Sequence, residues 1–158
     1  MKDLIDKLSS YNIFNYLFPG VIFAVVGTQV SSFRLLVDDI VIGVFVYYFF
    51  GMVVSRVGSL LLEPPLKWLK LIEFAPYDDF VATSRLDAKI DILSEQNNTY
   101  RTLASVFFCI LLLIGFDTIR KFTPSISDYG LVVGLILLIG IFVSAFIKQT
   151  KNRFQKWL

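Results

Sequence analysis

"VYYFFGMVVSRVGSLLLEPP", Val46 to Pro65, carries Arg56 inside an apolar run that starts at Ile40 and meets its next charge only at Glu63. A membrane-spanning helix needs about 20 mostly apolar residues to cross about 30 Å of hydrocarbon, and this run exceeds that length. A guanidinium at the bilayer centre costs at least about 2.5–3.5 kcal/mol on insertion scales. Arg56 therefore has two readings. If the hydrocarbon ends near Ser55, the side chain snorkels to the headgroups. If it ends near Glu63, Arg56 is about 10 Å deep at 1.5 Å per residue and needs a partner.

Three further segments have the same character, so spans are predicted at about 13–30, 40–60, 100–118 and 129–147. The whole composition agrees: 56% of the 158 residues are hydrophobic and 18% charged, where soluble domains run about 45–50% apolar and about 25% charged. The expected fold is all-α, a polytopic membrane protein with four transmembrane helices in one domain (1–158). A helical insert at about 63–99 joins the second span to the third.

Basic residues predict the orientation. Lys2 and Lys7, then Arg56, Lys67, Lys70, Arg85, Lys89 and Arg101, then Lys148, Lys151, Arg153 and Lys156 all fall on one side. Only Arg34, Arg120 and Lys121 fall on the other. Positive residues mark the cytoplasmic face, which puts both termini and the insert inside. Asp3 and Asp6 beside the first lysines, with no small-x-small cleavage site, predict that the first span is retained.

Within the insert, Glu63-Pro64-Pro65 is expected to break the second helix. "LKWLKLIEF" reads as an amphipathic surface helix with Leu66, Leu69 and Ile72 on one side and Trp68 as an interfacial anchor. "APYDD" reads as a turn, and Ser84 with Asp87 as a capping box. Leu86, Ile90, Leu93 and Asn97 then recur with helical spacing straight into the third span, which predicts a helix projecting about 20 Å beyond the bilayer.

Composition also bounds the chemistry. The chain has no histidine and one cysteine, Cys109, within an apolar segment. The commonest general base and transition-metal ligand are thus missing, and no intrachain disulfide can form. No enzyme, no cofactor and no metal site is expected. A net charge of +2 without a basic run gives no reason to expect direct nucleic-acid binding. No Asp, Glu or Lys falls deep within the apolar runs and no internal repeat is present, which argues against an ion-coupled transporter.

Four sets of residues stand out. Arg56, Asn97, Asn98 and Arg101 make a candidate polar collar at the inner mouth, with Glu63 seven residues on and on the face of Arg56. Gly51, Ser55 and Ser59, then Gly130, Gly134, Gly140 and Ser144, form small-residue faces that let helix backbones approach, within one bundle or between copies of the chain. With Gly20, Ala24 and Thr28 of the first span, three of the four spans carry such faces, which favours a homo-oligomer. Asp87, Asp91 and Glu95 recur every four residues as an acidic stripe, either a solvated face or a surface for a cytosolic protein partner. Pro19 and Gly20 predict a kink in the first span, for packing or as a flexible gate. Membrane lipid is the expected environment of such a chain.

The strings "FNYLFPG" entering the first span, "SRVGSLLLEP" leaving the second and "NNTYRT" entering the third resemble small four-span membrane proteins that accompany bacterial anti-phage systems, such as accessory membrane proteins of RNA-targeting CRISPR loci. The resemblance covers the layout and carries no functional residues. It implies an oligomeric component of the bacterial inner membrane in antiviral defence, channel-like or membrane-perturbing, or relaying a signal there. Fusing a reporter that is active only in the cytoplasm to either terminus should give signal at both ends. Signal at one end alone would overturn the charge-based orientation.

Overall fold

The computed structural model describes residues 12–73, 77–87, 89–123 and 125–154. Every regular element among them is helical: α1 (Ile13–Val30), α2 (Ile40–Trp68), α3 (Tyr77–Leu86), α4 (Lys89–Phe122) and α5 (Ser125–Phe154). Four of the helices are long and apolar enough to cross a membrane, α5 through its stretch Val132–Thr150. Lys2 and Lys7 lie outside the described residues.

Two helices are longer than the hydrocarbon of a bilayer is thick. α2 has 29 residues and α4 has 34, so at about 1.5 Å per residue they measure about 43 and 51 Å against about 30 Å of hydrocarbon. Their excess lies at the same end of the bundle, where Glu63 and Arg101 meet. Asp117 and the 31–39 connection occupy the opposite end.

The expected break at Glu63-Pro64-Pro65 does not occur. The backbone widens into a π-helical turn over Gly58–Leu62 and resumes as α-helix over Glu63–Trp68. The first span treats Pro19 in the same way: a π-turn at Ile13–Leu17 precedes the α-helical Phe18–Val30. Proline lacks an N–H and its ring crowds the carbonyl four residues back. One wide turn ahead of the proline shifts the hydrogen-bond register and accommodates both effects. The Phe18 N–H accordingly reaches Ile13 O, and the Glu63 N–H reaches Gly58 O.

The helix end also differs from expectation. "LKWLKLIEF" does not continue as a surface helix, because α2 stops after Trp68 with Lys70 in the left-handed region at φ 55°. The Leu71 N–H donates to Leu66 O and the Lys70 N–H to Lys67 O, each at 3.0 Å. That pair of bonds is the Schellman arrangement, here with lysine where glycine is usual. Trp68 is 82% exposed, as an interfacial side chain can be. Residues Phe74 to Pro76 lie outside the description, and Tyr77 to Asp79 of the expected turn already belong to α3.

α1, α2 and α4 form the core. Val54, Val106 and Ile110 are buried there, with Ile22, Phe23, Val26, Cys109 and Ile114 packed against them. Glycines bring α1 and α2 nearly into backbone contact. A Cβ added at Gly20 would lie 1.7 Å from Tyr47 O, and one at Gly51 would lie 1.8 Å from Tyr16 O. α2 meets α4 through hydroxyls, with Thr102 Oγ1 donating to Ser55 Oγ at 3.3 Å and Gly58 opposite Ser105. α5 leans on this core through the Phe49–Phe142 ring stack, and no residue of its apolar stretch is buried.

At the far end, buried Asp117 of α4 holds the connection between α1 and α2. Ser32 donates to it through both its N–H (3.2 Å) and its hydroxyl, and Lys121 pairs with it at 3.0 Å. Phe33 stacks on Phe116 beneath the Arg120 guanidinium. Gly51→Ala should force α1 and α2 apart and lower stability by about 1–3 kcal/mol, the usual cost of overpacking. Thermal unfolding of the purified protein in detergent checks this. A melting temperature equal to the parent's would show that the crossing is looser than described.

Candidate functional site

The π-turn before Pro64 leaves a backbone carbonyl without a donor. The Glu63 N–H is occupied by Gly58 O, and Pro64 has no N–H to offer the Ser59 carbonyl. Inside a bilayer such a group costs several kcal/mol unless something satisfies it. Lys148 of α5 does so: its Nζ donates to Ser59 O at 2.8 Å and to Ser59 Oγ at 2.9 Å. The same ammonium stands 3.5 Å from Glu63 Oε1.

Glu63 is the centre of this junction. The residue is only 8% exposed, and three cations from three helices surround its carboxylate. Lys67, one turn on in α2, pairs with Oε1 at 2.8 Å. Arg101 of α4 reaches Oε2 through a terminal nitrogen at 3.4 Å. Lys148 completes the set from α5. A lone carboxylate could not be held so deep, whereas three partly solvated cations offset its desolvation. Their side chains are 46%, 29% and 38% exposed, so the ammonium and guanidinium groups keep part of their hydration.

Arg56 lies seven residues before Glu63 in α2, about 10 Å away along the helix, and lines the same pocket. It has no hydrogen bond or ion pair among the described residues and is half-buried. A pocket of about 280 Å³ opens beside it, lined by Arg56, Ser59, Glu63, Arg101, Ala145, Lys148 and Gln149. A second pocket of about 560 Å³ shares Glu63 and Arg101 and adds Leu66, Ile72, Asn97 and Tyr100. A third, of about 310 Å³, lies between the start of α1 and α4, with Asn15, Glu95 and Thr99 in its wall.

The residues singled out in the sequence separate in space. Arg56 and Arg101 share one pocket, and Asn97 joins Arg101 in the next. The Asn98 carbonyl accepts from Thr102 within α4. The small-residue stripe of α2 serves three neighbours in turn: Gly51 faces Tyr16 of α1, Ser55 meets Thr102 of α4, and Ser59 meets Lys148 of α5. On α5, a Cβ at Gly134 or Gly140 would meet nothing within 4 Å, and Ser144 is exposed. Pro19 is fully buried, and a widened turn lies directly before its helix.

The acidic stripe divides as well. Asp87 precedes α4 and accepts from the Lys89 N–H at 2.9 Å, so it caps the helix that Ser84 was expected to start. Asp91 and Glu95 are exposed on α4 beyond it.

Sequence reading missed Lys148, which counts there only as a tail charge, and underrated Glu63. Two signals pointed to them. A carboxylate directly before Pro-Pro at the end of an apolar run needs cations, and prolines in a span imply a carbonyl in need of a donor. Comparison of the chain with family models, curated proteins and solved structures finds no match in any of the three.

Chemically, the cluster can hold charge and fasten helices. It presents cations in excess around one carboxylate, at the place where α2, α4 and α5 converge. Glu63→Gln should lower stability by about 2–4 kcal/mol, somewhat under the cost of breaking a fully buried pair because its partners reach solvent. Lys148→Met should loosen α5 alone, leaving Ser59 O without its donor. Disulfide trapping between cysteines placed at Ser59 and Ala145 reads the second effect, and trapping as efficient as in the parent would remove Lys148 from the account.

Proposed function

We propose that the chain is a homo-oligomeric component of the bacterial inner membrane, both termini cytoplasmic, acting as a channel-like or membrane-perturbing effector or accessory in antiviral defence. The observation that carries this reading is the state of α5. Its apolar stretch is buried nowhere against its own chain, and Gly134 and Gly140 have open space where a Cβ would be. Close glycine-mediated approach is how membrane helices associate, since lipid supplies no hydrophobic drive between them. The exposed glycines of α5 suit a second copy.

The densely packed core bears on where a path would run. With α1 and α2 in near backbone contact and α2 sealed to α4 by Ser55, Gly58, Thr102 and Ser105, one chain leaves little room for ions between these helices. Conduction or leakage would arise between subunits, along α5. The junction around Glu63 would then be the coupling point, because it ties the lipid-exposed helix to the projecting part of α4.

A second reading is a non-conducting anchor or regulator that recruits a cytosolic protein. The exposure of Asp91 and Glu95 on α4 favours it. Native mass spectrometry of the purified chain in nanodiscs separates the two. The oligomer reading expects a defined assembly of four or more copies that releases dye from liposomes. Replacing Gly134 and Gly140 together by leucine should dissociate the assembly while leaving the melting temperature of the subunit nearly unchanged. A monomer that releases nothing would hand the case to the anchor.

A further inference from the structure

Arg56 has no counter-charge among the described residues. It is half-buried in a membrane-spanning helix, and among the described residues nothing bonds to it. A guanidinium held in that position is costly unless an anion or water meets it. The pocket at its side brings three cations, Arg56, Arg101 and Lys148, against one carboxylate, Glu63, whose charge Lys67 also helps to offset. The pocket therefore stays net positive after every ion pair within it is formed. Donors remain as well. Arg101 uses one terminal nitrogen on Glu63, and its Nε is buried with no acceptor.

We propose that this pocket binds a phosphate group, with Arg56 as the principal ligand. Guanidinium groups match phosphate oxygens in paired hydrogen bonds, and ammonium groups add charge without directional demand. Size selects the ligand further. About 280 Å³ is at the lower limit of small-molecule pockets, which start at about 300 Å³, so a headgroup or a free phosphate fits and a bulky nucleotide does not. The position between membrane helices, where α2, α4 and α5 leave the apolar region, is one at which basic pockets take up anionic lipid headgroups. A soluble phosphate could reach the same donors from the aqueous side.

The site lies within one chain and needs only that the chain spans a membrane, not that it oligomerises. The experiment is native mass spectrometry of the full chain released from micelles containing phosphatidylglycerol and phosphatidylcholine in equal amounts. A parallel thermal melt is run in millimolar inorganic phosphate. The parent should retain phosphatidylglycerol in preference, and Arg56→Gln should reduce that retention at least fivefold. Arg56→Lys should keep most of it. Arg34→Gln, at the opposite end, should change nothing.

If phosphate raises the melting temperature of the parent and displaces the lipid, the anion is taken from solution. If it does neither while phosphatidylglycerol is retained, the source is lipid. Should Arg56→Gln fail to fold, Ala145→Asp places a carboxylate in the same pocket and should abolish retention equally. Equal retention by the parent and either variant, with no Arg56-dependent response to phosphate, overturns the site. The same spectra count subunits, so a monomer that keeps its lipid would reject the oligomer and leave the phosphate site standing.

Discussion

The fold turns on one backbone carbonyl. Pro64 cannot donate to Ser59 O, and in a low-dielectric environment an unmatched carbonyl is expensive. The chain answers with Lys148, recruited from a helix far away in sequence. That ammonium arrives as a charge, so it brings a second requirement, met by Glu63 at 3.5 Å. Glu63 in turn is tolerable only because Lys67 and Arg101 share it. The N–H that Pro64 lacks thus leads, step by step, to a junction that joins three helices. The sequence Ser59-Leu60-Leu61-Leu62-Glu63-Pro64 holds both the defect and part of its remedy.

Outside that junction, two kinds of contact divide the labour. Where α1, α2 and α4 meet, glycines and hydroxyls replace bulk, so backbones rather than side chains set the spacing. Such seams tolerate little adjustment and define a rigid unit. Where α5 meets α2, one ring stack and one lysine are the specific contacts. The result is a stiff three-helix body with a fourth helix fastened at one level, and the apolar stretch of that helix is left unburied by its own chain.

Much of this was legible from residue order. Apolar run lengths place all four spans, because nothing but a helix can carry twenty apolar residues through hydrocarbon. The projecting start of α4 follows from the spacing of Ile90, Leu93 and Asn97, whereas Leu86, expected in the same helix, ends α3. What residue order hides is anything depending on a wide turn. Proline rules predict a break at Pro64, and the helix instead runs on through it, because a π-turn shifts the hydrogen-bond register ahead of the ring, as another does ahead of Pro19. The site suffers from the same blindness. Arg56 and Arg101 can be singled out as charges at a membrane edge, but Lys148 looks like a topological marker until the carbonyl it serves is known. Asp87 sits four residues before Asp91 and suggests a stripe, yet a local bond to the Lys89 N–H makes it a cap.

α4 gives the junction an unusual sensitivity. It is one unbroken rod, anchored near one tip where Asp117 grips Ser32 and extending to Lys89 at the other. Arg101 lies 16 residues from that anchor and Lys89 lies 28, or about 24 and 42 Å along the axis. Between those points Thr102 and Ser105 hold the rod against Ser55 and Gly58 of α2, so Arg101 stands where the seated part of α4 ends and the last 12 residues towards Lys89, about 18 Å, begin. A tilt of about 5° of that projecting part would carry its tip by about 1.5 Å and leave Arg101 almost in place. The ion pair between Arg101 and Glu63 therefore sits at the fulcrum. A push on the far tip reaches it as torque on a charge pair rather than as displacement.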